Sequence, residues 1–455
     1  MGKWPQKKTK ATLNKKIKKV SGTIAAQASA RGAAGISVIR VSGPQTKEFF
    51  SEITKKTPVD RNAAYTTFYD SNDKEIDRGV AVFFEGPKSY TGEDVAEFSS
   101  HGSPAIVEMI LNRIYELGGR EAQPGEFTKR AYLNDKMDLT QAEAVADLIE
   151  STSARTAMAA KRSLAGEFSK KVDDISNKVT EVRAFVETML DFSDQDLDET
   201  KHPKTLSSML EEAKDSFEKL IEQTRIGIRV RNGLVITIMG EPNVGKSSLF
   251  NKICGSERAI VSSKAGTTRD IVSENITIDG FPLKVLDTAG LRYSEDEIEQ
   301  EGVKRAIEAG KSADIVLEVF DAKDWKTINR ENKSTIVLNK SDLLADSPQL
   351  DETNIFLLSA KTGKGVDRLL DHIADQFIDA DSAESSITAR ERHLRSIADA
   401  YAAFCKAEKG IVENEALDLV AEELLQAQNS LAEVTGEFTT EDLLGEIFKS
   451  FCIGK

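Results

Sequence analysis

Residues 240 to 251 read "GEPNVGKSSLFN" and follow the apolar run "LVITIM" at 234 to 239. An apolar run of that length reads as a buried strand, and the spacing of Gly240, Gly245, Lys246 and Ser247 reads as a phosphate loop that opens a helix. Small glycines let successive backbone N–H groups curl around an anion at the helix N-terminus. Lys246 adds a charge, and the Ser247 hydroxyl is suited to ligate Mg2+. Further apolar runs, "FPLKVLD", "DIVLEVFD", "STIVLNK" and "NIFLLSA", alternate with helical stretches. This pattern predicts an α/β domain with a wound parallel sheet over residues 229–380.

Three of those runs end in chemistry. "DTAG", residues 287 to 290, places Asp287 where it can hold Mg2+ through water, with Thr288 and Ala289 leading to Gly290, whose N–H can sense a γ-phosphate. "NKSD", Asn339, Lys340, Ser341 and Asp342, offers a carboxylate able to accept from guanine's ring N–H and exocyclic amine, a pair of donors that adenine lacks. "SAK", Ser359, Ala360 and Lys361, can add a backbone donor to the guanine carbonyl. Together with Asn243, Val244, Gly245, Lys246, Ser247 and Ser248 these stretches predict a GTP site and a hydrolase of GTP to GDP. Thr268, in "SSKAGTTRD" (262 to 270), is the expected second Mg2+ ligand. Two readings of Asn243 stand: it satisfies a loop turn, or its carbonyl joins a monovalent cation beside the phosphates.

Around this unit the periodicity changes. Over 137–228 Gly and Pro almost vanish and apolar residues recur at three-to-four spacing. Helical sequence returns over 381–455. The α/β unit is therefore expected to be inserted into one helical bundle domain, whose halves meet in space. Residues 21–136, with short apolar runs punctuated by Gly and Pro, predict an α+β domain. Residues 1–20 carry eight Lys and no acidic residue and read as a basic flexible extension, either simply solvated or RNA-touching.

Composition narrows the function classes. A formal charge of −14 disfavours nonspecific adhesion to nucleic acid. No run of about 18 apolar residues could cross a bilayer, so no membrane role is expected. Cys254, Cys405 and Cys452 are dispersed, as are His101, His202, His372 and His393. This implies neither a disulfide framework nor a zinc cluster, and fits a reducing cytoplasm.

The "SSKAGTTRD" loop together with the P-loop asparagine resembles the potassium-activated GTPases, and specifically the tRNA-modifying MnmE (TrmE) family. "TIAAQASARGAAGISVIRVSGP" (23 to 44), "SYTGEDVAEFSSHGSP" (89 to 104), "PGEFTKRAYLNDKMDLTQAEAVADLIEST" (124 to 152) and the terminal "LLGEIFKSFCIGK" are similar to the same family, so the resemblance covers about residues 23 to 455. It implies K+ held by Asn243, Ser262, the main-chain carbonyl of Lys264, and Thr267, within a loop that includes Ser263, Ala265 and Gly266 and touches GTP. Leu291 stands where Ras-like enzymes place the glutamine that orients the attacking water. The resemblance assigns water alignment to Glu299, although the acidic run "EDEIEQE" also reads as a solvated helix start.

The resemblance further implies an N-terminal domain that binds 5-formyltetrahydrofolate or a related tetrahydrofolate through Arg40, Glu97, Lys136 and Lys455. The bland reading of these residues is ordinary ion pairing. Cys452 is either a nucleophile or a packed thiol. The implied activity adds an aminomethyl-type (carboxymethylaminomethyl) group to the wobble uridine of tRNAs. It would do so as a cytoplasmic homodimer that forms a heterotetramer with an MnmG-like FAD protein. The rival reading is a GTPase switch in ribosome or particle assembly.

Overall fold

The computed structural model describes residues 22–191, 202–256, 259–261, 272–278, 281–287, 313–326, 334–344, 353–375, 386–413, 416–437, 441–449 and 451–454. The chain forms two compact units, residues 1–146 with 425–455, and residues 147–424.

In the first unit, β1 (Ile24–Gln27), β2 (Ala34–Ser42), β3 (Ala64–Tyr69), β4 (Glu75–Phe84), β5 (Val95–Gly102) and β6 (Arg120–Glu121) form one sheet in the order β3-β4-β5-β2-β1-β6. Strand alternation explains its two faces. Ala25, Ile39, Val41, Ala96 and Phe98 point into a core with Phe49 and Phe50 of α1 (Thr46–Thr54) and with Ile110 and Ile114 of α2 (Pro104–Glu116). Their neighbours Ile24 and Ala26 belong to a second cluster with Ala122 and with Phe127 of α3 (Glu126–Leu133), against which Tyr90 and Ile453 pack. A third cluster joins Leu139, Ala142 and Ala146 of α4 (Leu139–Glu150) to Leu444, Ile447 and Phe448 of the helix Glu441–Lys449, and to Phe451. Here the Tyr132 hydroxyl donates to the Gly436 carbonyl at 2.5 Å.

The second unit combines a helical bundle with an α/β sheet. Its bundle contains α5 (Ala154–Leu164), α6 (Glu167–Asp191), α7 (His202–Asn232) and α10 (Glu391–Val412). Helices from before and after the sheet pack on one another within this unit. Phe217 of α7 packs on Tyr401 and Phe404 of α10, and Phe168 of α6 packs on His393. At the rim of that packing Lys214 pairs with Glu408 at 3.0 Å.

The sheet contains β7 (Leu234–Met239), β8 (Ala259–Val261), β9 (Val272–Ile278), β10 (Phe281–Asp287), β11 (Ile315–Asp321), β12 (Thr335–Asn339) and β13 (Ile355–Leu357), in the order β13-β12-β11-β7-β10-β9-β8. The five strands expected from the sequence run parallel. The sheet is nevertheless mixed, because β9 pairs antiparallel with β10, and β8 antiparallel with β9. Helices α8 (Lys246–Cys254) and α9 (Val366–Asp375) cover it, burying Leu249, Phe250, Ile253, Leu369 and Ile373 against Ile236, Ile238 and Val285.

Candidate functional site

Strands β7, β10, β11 and β12 end at Met239, Asp287, Asp321 and Asn339, so the motif stretches emerge at one carboxyl edge of the sheet. That edge is where open α/β sheets receive ligands. Backbone geometry explains the loop's glycines. Gly240 has φ +143°, and a Cβ there would lie 2.2 Å from the Val319 carbonyl oxygen. Gly245 has φ +97°, and a Cβ there would meet Asn339 Nδ2 at 2.3 Å. Asn243 is also left-handed, at φ +63°, a conformation that asparagine tolerates better than most residues. Lys246 reaches back across the loop and donates to the Gly240 and Glu241 carbonyls, both at 2.8 Å. Ser247 and Ser248 lie in the first turn of α8 behind the buried Val244.

Asn339 knots three motifs together. Its Nδ2 donates to the Val244 carbonyl at 2.9 Å, and its Oδ1 accepts from the Ala360 N–H at 2.9 Å. The side chain is 2% exposed, so it holds the phosphate loop and the "SAK" loop from inside the protein. The Ser359 hydroxyl donates to Asp342 Oδ1 at 2.6 Å and accepts from the Thr362 N–H at 3.2 Å, which fixes the carboxylate expected to read the base. Lys340, left-handed at φ +66°, donates to Asp321 Oδ2 at 2.9 Å. Lys361 is exposed beside this loop.

The residues Ser262, Ser263, Lys264, Ala265, Gly266, Thr267, Thr268, Thr288, Ala289, Gly290, Leu291, Glu299 and Lys455 lie outside the described residues, as do residues 1–20. Of the expected cation ligands, Asn243 and Ser247 are described. Among the described residues no group of three or more His, Cys, Asp or Glu is placed to hold a metal ion. A polar cleft of ≈ 190 Å³ is lined by Asp147, Ser151, Thr156, Arg231, Asn232 and Pro282. Asn232 and Pro282 sit beside the amino ends of β7 and β10, so this cleft is on the opposite edge of the sheet from the motifs.

The first unit brings Arg40 and Glu97 together directly across β2 and β5. Arg40 Nε donates to Glu97 Oε1 at 2.9 Å, with a second contact from the guanidinium to Oε1 at 2.8 Å. The guanidinium lies over the rings of Tyr90 and Phe127, at 5.3 and 5.8 Å from their centroids. Lys136 Nζ donates to the Pro87 carbonyl at 2.9 Å, so both cations border the segment 87–90. At the C-terminus Phe451 is buried and Ile453 packs on the cluster containing Phe127, with Tyr90 against it. Cys452 between them is exposed. The Cys452 backbone is held as well, its carbonyl accepting from the Gly125 N–H at 3.4 Å.

Sequence reasoning missed the charge cluster under this surface. Arg130, 2% exposed, donates to Glu93 at 2.9 Å, to Glu126 at 3.0 Å and to the Gly22 carbonyl at 3.0 Å. Burial alone would raise the Glu126 carboxyl. Hydrogen bonds from Arg120, the Gln123 N–H and Arg130 outweigh it and hold the group below its usual value. The i,i+4 spacing of Glu126 and Arg130 is the available sequence signal, and it does not reveal burial. Nothing in the spacing of Tyr90 and Phe127 places them over Arg40, so their sequence carries no signal of this role.

A family profile described as "MnmE helical domain" matches residues 139–452, and one described as "GTP-binding protein TrmE N-terminus" matches residues 23–136. The tRNA modification GTPase MnmE of Coxiella burnetii (strain RSA 493 / Nine Mile phase I) is 43% identical over 450 residues, which cover 95% of this chain and 98% of the relative. Its counterpart from Pseudomonas aeruginosa (strain UCBPP-PA14) is 41% identical over 450 residues, covering 95% and 99%. Among solved structures, the G domain of the T. maritima FeoB iron transporter is 22% identical and covers 31% of this chain and 97% of that one, at a TM-score of 0.23.

Proposed function

Because this chain belongs to the MnmE family of tRNA modification GTPases, we propose that it hydrolyses GTP in the service of tRNA modification, adding a carboxymethylaminomethyl-type group to wobble uridines. The observation that carries the nucleotide half of this reading is the buried Asn339, which ties the phosphate loop to the loops that would read the base. A site organised from one internal amide is ready for a nucleotide, with little rearrangement of the described loops on binding.

Mg2+ fits the hydroxyl of Ser247 at the start of α8, beside an anion-binding helix end. K+ fits the Asn243 carbonyl, a neutral oxygen presented from a left-handed turn in the phosphate loop. When bound, such a cation offsets charge that develops on the phosphates during transfer. The residues themselves hold the loop, present oxygens and leave the water to be aligned by Glu299. Ser262, Lys264, Thr267 and Thr268 complete the two proposed ligand sets.

The folate half rests on Arg40 and Glu97. Both contacts from Arg40 go to Oε1, which leaves Glu97 Oε2 to accept from pterin N–H groups beside the Tyr90 ring. Lys136 and Lys455 would receive the glutamate carboxylates of 5-formyltetrahydrofolate. Cys452, exposed between two anchored apolar residues on the same tail, would be the nucleophile for the one-carbon unit. The proposed assembly is a cytoplasmic homodimer working with an MnmG-like FAD protein and tRNA.

Two measurements test the reading. At fixed ionic strength, GTP turnover should rise when NaCl is exchanged for KCl; equal rates remove the potassium assignment. Titration with 5-formyltetrahydrofolate should give a saturable change in intrinsic fluorescence. Its absence, with unchanged wobble nucleosides by mass spectrometry in a deletion strain, would leave a GTPase with some other task, such as particle assembly.

A further inference from the structure

Asp321 ends β11 beside Asn339, the last residue of β12. Its carboxylate is largely buried, with the side chain 14% exposed, and it accepts from Lys340 Nζ at 2.9 Å and from the Lys323 N–H at 3.2 Å. The Lys323 ammonium sits further off at 3.9 Å, on a side chain that is 71% exposed. Burial would raise the Asp321 carboxyl, but the bonds from Lys340 and the Lys323 N–H outweigh it and keep the group anionic well below neutrality.

Lys340 is two residues before Asp342, on the left-handed turn into the short 3₁₀ segment Ser341–Leu343. Asp342 already receives the Ser359 hydroxyl on Oδ1. An ammonium on a flexible four-carbon stem rooted two residues from this carboxylate would, once released from Asp321, compete for its remaining lone pairs. Guanine must fill those same sites with two N–H donors.

We propose that Asp321 is a positioning residue for base discrimination: it holds the Lys340 ammonium off Asp342, so that Asp342 reads guanine. The inference rests on the reading of these loops as a guanine-nucleotide pocket. A mere tie between β11 and β12 would behave differently, because its loss would weaken every nucleotide equally.

The test compares GDP, IDP and ADP binding to the full chain. IDP lacks the exocyclic amine that Asp342 would accept from. Asp321→Asn should weaken GDP binding about tenfold, in keeping with the loss of one charge-assisted bond. It should also shrink the preference for GDP over IDP, raise the KM for GTP about tenfold and change kcat by less than about twofold. Asp321→Glu, which keeps the anion, should retain most of the preference. In Asp321→Asn/Lys340→Gln the GDP-over-IDP preference should return to that of Lys340→Gln alone, since the competing cation is gone. An unchanged preference in Asp321→Asn overturns the inference, as does an equal loss for all three nucleotides, or a double variant that discriminates no better than Asp321→Asn. A wild-type chain that binds ADP as well as GDP would overturn the pocket reading itself, which keeps the two failures distinct.

Discussion

Asn243 meets a backbone requirement and carries a proposed chemical role, and the two separate experimentally. Its φ of +63° favours Asn or Gly, so Asn243→Ala changes the strain and the carbonyl together. Asn243→Gly keeps the turn and removes only the side-chain oxygen. That variant should bind GDP within about threefold of wild type yet lose most of the K+ stimulation of turnover. Turnover still stimulated by K+ would make Asn243 a turn residue alone. Glu126 supplies a prediction for acid stability. Its folded-state carboxyl is held below the ordinary value of 4.5, so it contributes stability that is fully present above pH 4.5 and is lost as pH falls through the lower folded value. Glu126→Gln should therefore flatten the dependence of urea midpoint on pH below 4.5, while costing stability at neutral pH. A slope identical to wild type would contradict the assignment. At this scale the phosphate loop was legible because its residues are contiguous. The partner of Arg40 was not, since Glu97 is 57 positions away and only the β2–β5 register makes them neighbours.

Elements show the same division between local and long-range information. The five parallel strands are legible as apolar runs. β8, three residues long, and β9, "VSENITI", are too short or too polar to stand out, although the "DG" between β9 and β10 is a recognised hairpin signal. Helix ends hold a feature that no local pattern announces. Asp147 near the end of α4 is 3% exposed on its side chain and accepts from Arg231, in the last turn of α7, at 2.7 Å, and from Arg390, the N-cap of α10, at 2.8 Å. Removing this anion takes a buried ionic partner from two cations, so Asp147→Asn should cost about 3 kcal/mol in urea denaturation. That is the low end for a broken buried pair, because the Arg231 side chain is 25% exposed. A loss below about 0.5 kcal/mol would place the cluster with ordinary surface pairs.

For the whole molecule, the division into two compact units predicts that two ligands can be lost separately. Truncation after residue 450 removes Phe451 and Ile453, which pack in two clusters of the first unit. Deleting a buried Phe costs about 3 kcal/mol or more, so binding of 5-formyltetrahydrofolate should fail in the truncated chain. GDP binding should persist, and loss of both ligands together would refute this independence. The change of pattern where Gly and Pro vanish and return marks an α/β sheet set between helical stretches; that residues 425–455 belong with residues 1–146 was not legible, because 381–455 reads as uniformly helical. Nor were the particular contacts that bring the sheet's two flanks together. A Cβ on Gly227 would lie 2.6 Å from the Ile387 carbonyl oxygen, Thr156 donates to the Val230 carbonyl at 3.3 Å, and Ser163 binds the backbone of Thr388 in both directions. The chain thus leaves the bundle and returns to it through a single doorway. Closing that gap with a short glycine-serine splice should ask little loop entropy of the bundle, so the α/β sheet is expected to be removable as a cassette. Such modules can be gained or exchanged by one recombination event without redesigning the host around them.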